Sequence, residues 1–327
     1  MKKTNFIIII CVLVLVVGTL TTILILRGSI WQKEKISDEL RNAQNTFDIR
    51  LNDKGSEYYI YRLDDAANND GATITIPDSV DGIPVTKLID TSLGFSSYNH
   101  IDKIIIGKNI TYIGKNPLNA DESDIGDDFF SLATSLLSIE VVEENAVFSS
   151  INGILYTKDQ ATLLRYPAGR GISEGQAAHR FVIPNGVKKI YDGAFSLNQT
   201  LEMVTFGTMV EEIGAEAFSN CSNLTVVNFN VNIKTIGARA FERCRNLGSV
   251  ILPIALEVLG SNAFANCTDL TSVSFANQIT EIGRNCFSGC SNLVSIFTSS
   301  EFVNSLKDIL NVNNPTQVSK VKVNNAN

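Results

Sequence analysis

The sequence predicts a repeat solenoid of 23-residue units, with a parallel sheet on one face and short helical or 3-10 turns on the other, preceded by an N-terminal transmembrane helix. Three observations carry this expectation. Similar segments recur at a fixed period through the second half of the chain. Each contains a short apolar–x–apolar alternation. One long uncharged apolar run lies near the N-terminus.

The apolar run comes first in the chain. Residues Phe6 to Leu26 carry no charge and are mostly aliphatic. As a helix, these 21 residues rise about 31 Å, enough to cross the hydrocarbon layer of a membrane. Lys2 and Lys3 precede the run. Arg27 and Trp31 close it, where a cation and an amphipathic ring suit the interface. Residues 1–31 are therefore expected to form a retained signal anchor, with the membrane contact through residues 6–26. The alternative is a cleaved signal that leaves the protein secreted, but neither a short apolar region nor a small-residue cleavage site is apparent. Next, Ile36, Leu40, Ala43 and Phe47 recur at helical spacing, which predicts a juxtamembrane helix over residues 32–46.

The solenoid is expected over residues 47–300. Five segments superimpose without a gap, starting at Ile190, Ile213, Ile236, Leu259 and Ile282, each 23 residues after the last. One column reads Phe195, Phe218, Phe241, Phe264 and Phe287, and a second reads Leu201, Leu224, Leu247, Leu270 and Leu293. A third reads Val204, Val227, Val250, Val273 and Ile296. Within a unit, the Val-x-Phe alternation of Val204 and Phe206 predicts a short strand with one face buried. The Ala217-Phe218 step predicts a tight turn that drops its ring inward. A single unit cannot bury its own apolar face, so neighbours must stack, in parallel strands about 4.8 Å apart.

The unit IGxxAFxxCxxLxxVxF resembles the BspA-like leucine-rich repeats of bacterial surface proteins, and the resemblance extends over roughly residues 47–327. Residues 72–95 are similar to that family's entry repeat, and Ile101, Ile104, Ile106, Ile110 and Ile113 continue it. Insertions are expected near 119–135, where ADESDIGDD falls, and near 145–180, where AVFSSINGILYTKDQATLLRYPAG resembles a hairpin frequent in the family. Residues 301–327 are expected to cap the last repeat, with a helix at EFVNSLKDIL and a final strand in VSKVKV. The resemblance implies a surface protein, in a family many of whose members act in adhesion or host contact. With the apolar run, and with no residues that set an acid against a base, the expectation is a non-enzymatic, membrane-anchored protein that binds a protein or glycan partner. The resemblance also implies that the repeat domain lies outside the cell. Cation counting opposes that orientation, because Arg27, Lys33, Lys35 and Arg41 outnumber Lys2 and Lys3. A structural spacer of the cell envelope is the second reading.

Composition excludes one class of function. Beyond residue 31, 24 basic residues face 34 acidic ones with no basic stripe, so nucleic acid is repelled. Other candidates have plain structural readings. Cys221, Cys244, Cys267 and Cys290 share one column with Asn198, and Cys286 takes the place of Ala194, Ala217, Ala240 and Ala263. A 23-residue spacing sets them in a row rather than converging on zinc, so buried thiols are expected, with a disulfide between adjacent coils the alternative. His100 and His179 lie far apart. The pairs Glu143/Glu144 and Glu211/Glu212 read as a solvated acidic surface, and the glycines of 169–175 as a hairpin loop rather than a dinucleotide fingerprint. Asp121, Glu122, Asp124, Asp127 and Asp128 could gather calcium but lack the EF-hand order, so no cofactor or metal is expected. Sequons stand at Asn109, Asn198, Asn220, Asn223 and Asn266. The candidate binding face is the outward side of the repeat strands: Met203, Thr205, Val226, Asn228, Ser249, Ile251, Ser272, Ser274, Ser295 and Phe297. It carries no charge, whereas solvated strands commonly do.

Overall fold

The computed structural model describes residues 37–63, 71–90, 101–115, 130, 133–171, 179–276 and 279–323. The expected anchor, residues 1–31, lies outside them. Among the described residues, no helix is long and apolar enough to cross a membrane. The chain divides into two units, Met1–Asn42 and Ala43–Asn327. In the first, Ser37 Oγ accepts the N–H of Leu40 at 2.9 Å and so caps a helix, with Asp38 and Glu39 in its first turn. That helix, Asp38–Thr46, stops short of Phe47, which is buried as the opening residue of the strand Phe47–Leu51.

The second unit opens with a mixed sheet. Phe47–Leu51 pairs antiparallel with Tyr58–Leu63, which runs parallel to Ile83–Asp90, which in turn runs parallel to Tyr112–Lys115. Ile49, Ile60, Val85, Leu88 and Ile113 are buried. A second early sheet stacks Ala72–Thr75, Ile101–Ile106 and Ser138–Val141 in parallel. In the segment read as a hairpin insertion, Phe148–Ile151, Ile154–Thr157 and Thr162–Arg165 pair as antiparallel strands. Their last residue, Arg165, is buried and donates to the carbonyls of Gly193, Phe130 and Ser196, which ties the segment to the first regular repeat.

The regular repeats form the parallel solenoid the period predicts. Arg180–Val182, Met203–Thr205 and Val226–Asn228 pair in parallel, each residue with its counterpart 23 positions on. Ser249–Ile251, Ser272–Ser274 and Ser295–Thr298 do the same in a second sheet. The expectation of one sheet face is incomplete. A further parallel ladder runs through Lys189–Ile190, Glu212–Ile213, Thr235–Ile236, Val258–Leu259 and Glu281–Ile282, continuous with the hairpin strands. Two residues per strand are too few for a period-two pattern to register in sequence.

The turn that carries each phenylalanine also differs from a 3-10 helix. Ala194 and Ser196 donate to Tyr191 and Gly193 in the i→i−3 sense. Between these bonds, Glu216, Arg239, Asn262 and Asn285 share one left-handed column with Gly193, at φ 56–65°. Leu197, Asn220, Arg243, Asn266 and Gly289 share the next. Alternating backbone hands aim every second N–H at the neighbouring coil, so Phe195, Phe218 and Phe241 each donate to the next coil's alanine carbonyl at 2.7 Å. Left-handed backbone is costly for a residue with a Cβ, and these cross-coil bonds offset the cost.

Inside, the five phenylalanine rings are fully buried and stacked, with centroids 4.5, 5.0, 5.1 and 6.0 Å apart. The glycine of the IGxxAF pattern is required by close approach. A Cβ on Gly237 would lie 2.5 Å from the Ala215 nitrogen, and one on Gly260 2.4 Å from that of Ala238. At the C-terminal end the helix Val303–Asn313 buries Leu306 and Leu310. Residues Pro315–Lys320 form a 3-10 helix, so the final strand is limited to Val321–Val323, parallel to Ser295–Thr298. Asn313, Asn314 and Gln317 donate side-chain amides to the carbonyls of Ile282, Gly283 and Phe287. These carbonyls correspond to ones that a following coil takes elsewhere in the stack.

Candidate functional site

The outward strip is built by the strand ladder. The inward columns Val204, Val227, Val250, Val273 and Ile296 are buried, so their flanking residues must face away from the core. Val226, Asn228, Ser249 and Ile251 are exposed, and Met203, Thr205, Ser272 and Ser274 half-buried by their neighbours. Ile251 stands 73% exposed and Val182, one column-mate at the start of the ladder, 67%. Ser249 and Ser272 are register partners on adjacent coils. Asn228 Nδ2 donates to Thr205 Oγ1 at 3.1 Å across two coils, so the polar members of the strip brace one another.

One predicted strip residue is misplaced. Ser295, expected outward, is only 7% exposed. The capping strand Val321–Val323 adds a further neighbour there, and Lys322 Nζ donates to Ser295 Oγ at 2.6 Å. Phe297 is half-buried beside the same strand, so the open part of the strip ends at Ser272 and Ser274.

The opposite ladder has a different chemistry. Lys189 Nζ lies 2.8 Å from Glu212, Lys234 Nζ 2.8 Å from Glu211, and Arg239 Nη1 3.1 Å from Glu216, each pair joining adjacent coils. The hydrogen bond from Lys234 holds the Glu211 carboxyl below its ordinary pKa. The adjacent carboxylates Glu211 and Glu212 thus serve coil register, each with its own cation.

The thiols also have a defined task. Cys221, Cys244, Cys267 and Cys290 each donate S–H to the carbonyl of the phenylalanine on the preceding coil, to Phe195, Phe218, Phe241 and Phe264, at 3.0–3.1 Å. Asn198 occupies the same column and donates to Pro167, and Gln317 of the cap takes Phe287. All five described cysteines are free and buried, and burial pushes Cys221 and Cys286 up to about 12. Among the described residues, no group of three or more His, Cys, Asp or Glu is placed to hold a metal. His179 Nδ1 lies 3.0 Å from Glu202 Oε1, in a hydrogen bond at the edge of the strip. Asn198 is fully buried, which removes it as an accessible sequon. His100 and Asp121 to Asp128 lie outside the described residues.

A second row, outward at Arg50, Tyr59 and Lys87 and buried at Tyr112, was not anticipated. On the first sheet, Arg50 pairs in register with Tyr59, Tyr59 with Lys87, and Lys87 with Tyr112. Its trace in the sequence is the period-two pair Tyr59 and Tyr61.

Residues 174–321 match the BspA type leucine rich repeat region, in six copies. No curated protein sequence matches the chain. Among solved structures, the pneumococcal vaccine antigen PcpA superimposes with a TM-score of 0.51 at 16% identity, over 86% of this chain and 100% of that one. A leucine rich cell surface protein from Faecalibacterium prausnitzii gives 0.49 at 20% identity, over 78% of this chain and 93% of that one. A leucine-rich repeat protein from Eubacterium ventriosum gives 0.48 at 20%, over 77% and 82%. With its Phe, Cys, Leu and Val columns stacked in register, the segment 174–321 is a BspA type leucine rich repeat region.

Proposed function

We propose that this protein is anchored in the membrane through residues 6–26, displays its solenoid outside the cell, and binds a protein or glycan partner through the outward strip. The observation that carries the reading is the contrast between two faces of one repeat. Where the short ladder carries cross-coil ion pairs, the strip from Met203 to Ser274 carries none, and places Val226 and Ile251 in solvent among serine, threonine and asparagine. An uncharged, mildly apolar surface on a rigid sheet loses little solvation on contact and little entropy on docking. The repeat family and the likeness of fold to a pneumococcal antigen support a surface location.

Arginine at both Ser249 and Ser272 tests this. Register pairing brings the two positions to about 5 Å, so a close-fitting partner would have to desolvate two like charges in the middle of its footprint. Ligand capture should be abolished while circular dichroism is unchanged, since surface substitutions usually cost within about 0.5 kcal/mol. Neutralising Asp121, Asp124 and Asp127 should leave capture intact. Full capture by both variants would refute the strip and favour the spacer reading.

A further inference from the structure

We infer that the outward row of the first sheet is a separate binding site for an acidic polysaccharide, one whose pyranose rings carry carboxylates. The row crosses four strands as the register partners Arg50, Tyr59, Lys87 and Tyr112, and spans about 14 Å. It is open at Arg50, Tyr59 and Lys87 and closes at Tyr112, which is 5% exposed. A bulge at Asp48/Ile49 adds Tyr61 to the same face. The Arg50 guanidinium lies 4.7 Å from the Tyr61 ring centroid. The Lys87 ammonium lies 5.1 Å from the ring of Tyr59 and 5.7 Å from that of Tyr112.

Two features set this row apart from ordinary surface. Cations and aromatic rings alternate along it, whereas Lys189, Lys234 and Arg239 of the repeats each face a carboxylate. Arg50 is held by Asp48 at 2.6 Å, but among the described residues no carboxylate pairs with Lys87. The nearby Glu57 carboxylate accepts the Thr86 hydroxyl at 2.7 Å. Lys87 therefore keeps its charge and its three donors for a group from outside, and the two rings fix where that charge sits. The rings of Tyr59 and Tyr61 remain half-exposed and give flat apolar faces with polar edges. Rings and a cation set side by side across neighbouring strands suit a polymer laid over those strands. The carboxylate of such a polymer would meet Lys87 in a charge-assisted hydrogen bond, its ring face would lie on tyrosine, and its hydroxyls would meet Asp48 and Glu57.

The experiment measures retention of the detergent-solubilised full chain by affinity electrophoresis in gels containing polygalacturonate, hyaluronan or neutral dextran. One of the two acidic polymers, and not dextran, should retard the protein. Lys87→Met keeps the aliphatic stem over Tyr112 but removes the charge, and Tyr59→Leu keeps apolar bulk but removes the ring. Each should weaken retention at least about tenfold, the loss of roughly one charge-assisted contact. The Ser249/Ser272 arginine variant should be retarded like the parent, which separates this site from the strip. Equal retention in dextran, no retention in either acidic polymer, or undiminished retention of folded Lys87→Met would each overturn the inference.

Discussion

At the scale of a residue, the cysteine column shows how a reactive group becomes structural. Each thiol is small enough to sit beneath the turn and polar enough to satisfy a phenylalanine carbonyl that already accepts one bond within its own coil. Asparagine and glutamine meet a similar demand at the two ends, at Asn198 and Gln317. Desolvation is the largest cause of the raised thiol pKa at Cys221, from 9.0 to about 12. Below about pH 9 the thiol is neutral in both folded and unfolded chains, and its contribution to stability is constant. Above that value the unfolded chain ionises while the folded one does not. Stability should then fall by about 1.4 kcal/mol per pH unit for each such thiol, until the folded value is reached. Denaturant melts between pH 8 and 11 check the slope. Iodoacetamide at pH 8 should label none of the five described cysteines in the folded protein and all of them in urea; rapid labelling of the native state would show that the column opens.

Among elements, the coil is the unit of stability. Phe241 stacks on Phe218 at 5.0 Å and on Phe264 at 5.1 Å with no exposed surface. Truncation to alanine removes both contacts and leaves a cavity, so Phe241→Ala should cost about 3–5 kcal/mol. Because each coil touches only its neighbours, the loss should also separate the unfolding of the coils on either side, giving a second transition in calorimetry. A single transition at the parental temperature would mean that the ring contributes no coupling. The phenylalanine, leucine and valine columns were legible in the sequence, since each is one identity repeated at one period. The two-residue ladder through Ile213 and Ile236 was not, nor was the alternation of backbone hand at Glu216 and Arg239. Neither has a side-chain pattern of its own; both arise only when coils stack and exchange hydrogen bonds.

For the whole molecule, the question is what holds the solenoid where it can meet a partner. The proposed anchor predicts that the mature protein keeps its first 31 residues. N-terminal sequencing of protein recovered from membranes should begin at or near Met1, and a start between residues 27 and 47 would establish cleavage instead. The strip and the first-sheet row lie on separate sheets, and their variants should act independently, because substitutions far apart with no shared partners add.

The sequence by itself determined the period, the stacking direction, the buried columns and the resemblance to a repeat family. All of these follow from identities recurring at fixed spacing. Tertiary structure decided the rest. It buried Ser295 under the last strand, because a capping segment outside the period supplies Lys322. It gave Glu211 and Glu212 separate cations, because coils bring positions 23 residues apart into contact. It aligned Arg50, Tyr59, Lys87 and Tyr112 across four strands, because bulges shift the register at Asp48/Ile49 and at Tyr58/Tyr59. A bulge moves a side chain from one face to the other, and no one-dimensional pattern records where it falls.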